Sequence, residues 1–288
     1  MNQLAEILNP QFLLRNALYA GLIVGFVCPQ VGIFFVLRRM VLLGVALPQV
    51  SNAGVTFAFL LHTVGWHFLP HMESEKSMAL AGSVVFTLIA IFVLAILERK
   101  RKGFTENRIG FIYALAGAAS LLFVAWNPFG QTEVLSLLKG EIISIPDAYL
   151  WSMIAIYGAI FICLTGFHRN FVLVSYDADM AVTMGKRVIV WDVILYLIIG
   201  VIISLGVMTV GPLVIFGFLL IPPIASRMVT RGIRLFCVVS SVIGVAASFL
   251  GFYVSYRFDL PTGPTDVAML CAILVLLYGG KILVRWKR

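Results

Sequence analysis

Charge is scarce in this chain. Asp, Glu, Lys and Arg make up 12% of its 288 residues, against 61% apolar residues, and mean hydropathy is +1.04. A soluble protein of this length cannot hide that much apolar surface, so the composition excludes a water-soluble enzyme or binding domain. Long polar stretches are missing too. The longest interruptions, residues 70–77, 98–108, 127–133, 168–188 and 257–265, are each too short to form a core. No enzyme domain is therefore expected, and the energy for any work must come from another subunit or from an ion gradient. Cysteine is sparse and unpaired in pattern: Cys28, Cys163, Cys237 and Cys271 stand alone inside apolar runs, with no C-x-x-C. They read as small apolar core residues rather than a disulfide framework or a metal site. Acids and histidines are nearly absent from the middle of the apolar runs, which argues against a gradient-driven transporter with an intramembrane relay. No Ser/His or paired Asp constellation suggests an intramembrane enzyme. The opening residues carry Glu6 and no basic segment, and the first apolar run is long, so no signal peptide is expected.

What the chain does contain is a succession of apolar runs. A span needs about 20 apolar residues. Candidates lie at 13–37, 41–69, 78–97, 109–126, 149–167, 189–208, 211–228, 235–256 and 266–284. The expectation is one all-α transmembrane domain over residues 1–288, a bundle of about nine spans. The net charge of +8 is topological information. Arg38/Arg39, the Glu98–Lys102 cluster, His168/Arg169, Lys186/Arg187, Arg227/Arg231/Arg234 and Lys281/Arg285/Lys287/Arg288 fall at alternate span ends, which marks them as cytoplasmic. This places the C-terminus inside and the N-terminus outside, with Arg15 in an awkward outer position. The basic residues flank spans without interleaved aromatics, so a nucleic-acid partner is excluded.

Small residues recur within the runs, at Gly21/Gly25, Gly54/Ala58, Gly110/Ala114, Gly117 and Gly244/Ala247/Gly251. In lipid such residues let helices approach closely. Pro29 with Gly32, Pro48 beside Gly44, Gly211-Pro212 and Pro222-Pro223 are expected to interrupt their spans. A broken helix in a membrane either shapes the bundle or exposes carbonyls to a transport path.

Residues 176–186, Tyr-Asp-Ala-Asp-Met-Ala-Val-Thr-Met-Gly-Lys, form a charged island between apolar runs. Acidic residues come early, and Gly185 and Lys186 come late. The stretch reads as a helix of about two turns on the cytoplasmic side. It either merely connects two spans or docks on a cytoplasmic partner.

Several blocks, in order, resemble the membrane subunit of bacterial ABC importers for zinc and manganese. They are Leu37-Arg38-Arg39-Met40-Val41-Leu42-Leu43-Gly44 with Ala46-Leu47; Thr105-Glu106-Asn107-Arg108-Ile109-Gly110; Leu138-Lys139-Gly140-Glu141-Ile142-Ile143-Ser144-Ile145 with Asp147; Leu173 to Gly185; Leu220 to Arg227; and Asp259-Leu260-Pro261-Thr262-Gly263-Pro264-Thr265. The resemblance spans nearly the whole chain. It implies a vitamin B12-importer-like architecture in the bacterial inner membrane and a homodimer of this subunit. It also implies two cytoplasmic ATPases and an extracytoplasmic solute-binding protein. No catalytic role and no cofactor are implied for the chain itself. Asp177, Ala178, Asp179, Met180, Ala181, Met184 and Gly185 would then belong to a coupling helix seated in the ATPase. Ala178 and Ala181 would permit close seating, and Asp177 and Asp179 could meet basic partner residues.

One departure stands out. The family commonly writes Gly-Asp-x-Leu-Ser-His in its second span, an acid and an imidazole four apart on one helical face. Here Val45, Pro48 and Gln49 occupy the Asp, Ser and His positions. Valine cannot coordinate, and glutamine offers only a neutral oxygen. The substrate is then a metal handled by other residues, or a non-metal or chelated metal on the same architecture. Gln49, Glu133, Met208 and Thr209 are the candidate path residues. Glu133 would attract cations at an outer mouth or sit in a solvated loop. His62, His67 and His71 lie near the outer end of the second span. His67 and His71 have a chelating spacing, yet their neighbours Trp66, Phe68 and Pro70 favour an interfacial belt. Asp192 and Asp266 lie near span ends, where charge is affordable and Asp266 could cap a helix. Lys139 stands where the family has an apolar residue.

Overall fold

The structure is a computed structural model, and it describes residues 14–63, 75–99, 105–127 and 147–286. Among these residues every regular element is a helix. We number them α1 (Arg15–Leu37), α2 (Leu43–Thr63), α3 (Glu75–Arg99), α4 (Thr105–Ala125), α5 (Asp147–Gly166), α6 (His168–Tyr176), α7 (Ala178–Thr183), α8 (Val188–Val210), α9 (Pro212–Val229), α10 (Ile233–Phe258) and α11 (Thr262–Trp286). Nine of the described helices, all except α6 and α7, are long and apolar enough to cross a membrane.

The bundle has two lobes. On one side α2 packs against α3 and α4; on the other, α1, α9, α10 and α11 pack together. Helix α8 touches both lobes, against α2 and α3 on one side and α1 and α9 on the other. Burial follows that plan: α1, α2 and α8 are mostly enclosed, whereas α4, α5 and α11 are peripheral. The peripheral helices expose Phe111, Leu121, Trp151, Ile162, Val275 and Leu276, side chains suited to lipid rather than water.

Lipid offers no hydrophobic force between helices, so small residues and hydrogen bonds must hold the lobes together. The glycine stripes do this at specific crossings. A Cβ at Gly25 would lie 2.8 Å from the Gly244 carbonyl oxygen, and a Cβ at Gly32 would overlap the Leu219 carbonyl oxygen. Those glycines set how closely α1 meets α10 and α9. Gly54 likewise meets Gly82, its neighbour across α2 and α3. Gly110 differs from expectation: among the described residues nothing lies within 4 Å of a Cβ there, so it makes no close crossing with them.

The proline expectation needs a larger correction. Pro29, Pro48, Pro222 and Pro223 all lie inside continuous helices. A proline removes one backbone bond, but with no water to compete for the other carbonyls the remaining ladder carries the helix through. Gly211 is the true break. Its φ of 85° and ψ of 161° end α8, and Pro212 opens α9 in the first helical position, where no N–H is needed. Arg15, expected in an awkward outer position, has an acidic partner. Its guanidinium lies 3.6 Å from the Asp147 carboxylate, which also accepts a 2.7 Å bond from Asn16. The starts of α1 and α5 therefore share one end of the bundle.

Candidate functional site

The charged island folds into two pieces. His168 to Tyr176, expected as part of a polar interruption, form the amphipathic helix α6, which buries Phe171, Val174 and Ser175. The second piece is narrower than the expected 176–186: α7 covers only Ala178–Thr183, with its caps outside it. So short a helix is unstable alone, and the sequence caps both ends. Asp177 is extended, and its carboxylate accepts a 2.9 Å bond from the Met180 amide. That is an N-cap, and the charge also favours the positive end of the helix. At the other end Gly185 takes φ +73°, its amide bonds to Val182, and the Lys186 amide bonds back to Ala181 at 3.0 Å. This pairing closes the last orphan carbonyls and requires a residue tolerant of the left-handed conformation.

The burial of α7 is one-sided. Ala181 is fully buried, whereas Met180, Val182 and Met184 are more than half exposed, and Asp177, Ala178, Asp179 and Gly185 are also exposed. The methyl of Ala181 therefore seats the helix against its own subunit, so it is not free to seat a partner as expected. What projects outward is a set of apolar side chains flanking the buried Ala181, Met180 on one side and Val182 on the other, with carboxylates at the start of the helix.

The loop is tied to the spans by a junction that sequence reasoning missed. Arg38, the C-cap of α1, stands in the sequence as a positive flank and in the first family-like block, with no partner indicated. Its guanidinium lies 2.6 Å from an Asp192 carboxylate oxygen on α8 and donates through Nε to the Ser175 hydroxyl of α6 at 3.1 Å. The Tyr196 ring lies below it, 5.4 Å from the guanidinium carbon. Asp192 is thus paired rather than simply tolerated at a span end. Beside this network Trp191 stacks edge-on against Phe171, and Phe171 meets Phe34 of α1. Neither partnership has a spacing signal, because the residues come from three separate parts of the chain. His168, at the far end of α6, has its pKa lowered by burial and by the nearby Arg234.

The α2 departure is equally visible. Val45 and Gln49 lie half-buried on one face, and Gln49 sits over Gly117 of α4, where a Cβ would stand 3.4 Å from its amide nitrogen. Below them runs a buried polar chain. The Ser51 and Ser83 hydroxyls lie 2.6 Å apart, Ser204 reaches Thr87 at 3.3 Å, and Thr87 bonds back to the Ser83 carbonyl. Asn52 is buried nearby on α2, with its amide nitrogen unpartnered. The chain links α2, α3 and α8 through neutral oxygens, and single serines among small residues gave no sign of it. Thr209 turns its hydroxyl back on the Leu205 and Gly206 carbonyls, and Met208 is half-buried before the Gly211 break. Asp266 does not cap α11; it is buried against Gly251 of α10 with one carboxylate oxygen unpartnered. His62 lies half-exposed near the end of α2, whereas His67, His71, Glu133 and Lys139 fall outside the described residues. Among the described residues no group of three or more His, Cys, Asp or Glu could hold a metal ion. A cleft of about 380 Å³ between α2, α3 and α4, lined by Val50, Ala53, Phe86 and Ile112, offers no ligand atom for a cation.

Nine of the described helices can cross a membrane, and a doubly capped short helix lies between two of them, which is the architecture of a multi-pass membrane protein. Residues 11–279 match the ABC 3 transport family, and the chain belongs to it: it is the membrane permease subunit of an ABC transporter, whose ATPase is a separate subunit. Among its relatives is the manganese import system permease ScaB of Streptococcus gordonii, 23% identical over 92% of this chain and 89% of that protein. The manganese transport membrane protein MntC of Listeria monocytogenes is 22% identical over the same shares. The fold is similar to that of PsaBC from Streptococcus pneumoniae, solved in complex with Fab, with a TM-score of 0.82, 21% identity and 99% of both chains covered.

Proposed function

We propose that this chain is the permease of an importer that moves a divalent transition metal, Mn²⁺ or Zn²⁺, into the cell. The observation that carries the reading is α7: two capped turns that expose Met180, Val182 and Met184 and anchor on Ala181. A helix transmits force only if it is rigid and seated, and α7 has both caps. A cytoplasmic ATPase receives it in a groove, with Asp177, Ala178, Asp179, Met180, Met184 and Gly185 at the contact. A solute-binding protein delivers substrate at the opposite face, and two copies of this chain pair around the path. With α7 cytoplasmic, the start of α1 lies outside and the end of α11 inside. ATP binding draws the coupling helices together, and the spans rock to open alternate faces. Metal as substrate is supported by the names of the relatives.

A second reading, a chelated metal or a non-metal on the same architecture, is favoured by Val45 and Gln49, which supply no anionic ligand. On the metal reading, Gln49, Met208, Thr209 and Glu133 contact the ion only weakly. That suits transit, since a tight site also releases slowly, and recognition then resides in the binding protein. The test is uptake of labelled Mn²⁺ and Zn²⁺ by a transport-deficient host expressing this chain with its ATPase and binding protein. Uptake that an Asp179→Arg, Gly185→Trp variant abolishes, while the assembled complex persists, supports metal import. A hydrolysing complex that takes up neither ion points to the second reading.

A further inference from the structure

The polypeptide enters α7 from α6 and leaves it into α8, so force on α7 arrives at the spans through two legs. Left separate, the legs would splay, and motion of α7 would be lost in the loop. One side chain ties them. Arg38 bonds Ser175 on the entering leg at 3.1 Å and Asp192 on the leaving leg at 2.6 Å, and it is itself fixed to the end of α1. Ser175 lies two residues before the Asp177 cap. The arginine side chain is only 12% exposed, and that of Asp192 is 31% exposed. A planar guanidinium suits this task because its fork of donors reaches several acceptors at fixed angles, which an ammonium cannot do. Tyr196 covers one face of the group, and the Phe34, Phe171 and Trp191 contacts brace the same three helices.

The backbone also favours this placement. Arg39, the next residue, sits at φ 58°, a conformation costly for a residue with a Cβ. That turn lets the Met40 amide bond back to Phe35 at 2.9 Å and ends α1 with Arg38 at the junction.

We propose that Arg38 is the positioning residue that makes α1, α6, α7 and α8 move as one body, and so converts displacement of the coupling helix into movement of the spans. This rests on the reading of α7 as the contact with the ATPase. The two exchangeable parts are the Ser175 bond, which holds the loop, and the Asp192 pair, which holds the span.

The test uses the full complex of permease, ATPase and binding protein in proteoliposomes, and it measures Mn²⁺ taken up per ATP hydrolysed at matched amounts of assembled complex. Arg38→Gln keeps the ATPase bound and hydrolysing but lowers that ratio by about tenfold. The reversed pair, Arg38→Asp with Asp192→Arg, recovers part of the loss. Ser175→Ala, which removes one bond without burying a lone charge, lowers the ratio by about twofold to threefold and serves if Arg38→Gln assembles poorly. Arg39→Gln, at an exposed neighbour of the same charge, leaves it within about twofold. An unchanged ratio in Arg38→Gln or Ser175→Ala, alongside an uncoupled Gly185→Trp, overturns the clamp and leaves the coupling reading intact. A fully coupled Gly185→Trp overturns both.

Discussion

Gly32 and Gly110 have the same chemistry and opposite consequences. A methyl at Gly32 would overlap the Leu219 carbonyl, whereas one at Gly110 would meet nothing among the described residues within 4 Å. Gly32→Ala should therefore force α1 from α9 and cost about 1–3 kcal/mol, as overpacking does. Gly110→Ala should be neutral or stabilising by up to about 1 kcal/mol, through helix propensity alone. Thermal unfolding in detergent compares the two directly. The sequence sets Gly32 with Pro29 as an interruption and Gly110 among the close-approach residues, because residue type alone does not say what a glycine faces. The partners of Arg38 were hidden because charge patterning carries no pairing information. A basic residue at a span end satisfies the positive-inside pattern whether or not it is paired, and its partner lies 154 residues away. The Val45 and Gln49 substitutions were legible because they interrupt a local motif.

At the scale of elements, α7 stands on its caps. Asp177→Ala should destabilise it by about 1 kcal/mol through loss of the Met180 amide bond. Gly185→Val should cost about 1–2 kcal/mol, because a side chain at φ +73° is strained. Hydrogen exchange at Met180 to Lys186 reports both, with faster exchange confined to α7 and its caps. The acidic start and glycine end of α7 were readable from residue type, since capping is a local code. Its extent was not, because α6 takes up the preceding residues through burial of Phe171 and Val174. Helix α6 in turn carries a pH dependence. Burial and Arg234 hold the His168 pKa below the usual imidazole value. Below the unfolded pKa, about 6.5, the unfolded chain binds more protons than the folded one at this site. Stability contributed here is therefore present above that value and lost as pH falls through the folded pKa. Acidification from about pH 7.5 to 5.5 should loosen α6 in the native protein and do so less in His168→Gln, read as exchange rates in α6.

At the scale of the whole molecule, span number and order followed from hydropathy, because a bilayer fixes the length of an apolar helix. The lobes did not follow, since helix pairing depends on which small residues happen to face each other. Nor did continuity through Pro29, Pro48, Pro222 and Pro223, since a lost bond in a low-dielectric medium does not unwind its neighbours. What joins these scales is a short helix with an exposed apolar surface, which we propose as the ATPase contact, and a buried side that rests on its own subunit. The most direct measurement places a photo-crosslinking residue at Val182 on α7 and, separately, at Leu276 on the lipid-facing side of α11, in the assembled transporter. The account predicts that Val182 captures the ATPase subunit and Leu276 does not. An assembled complex in which Val182 captures no ATPase would contradict it.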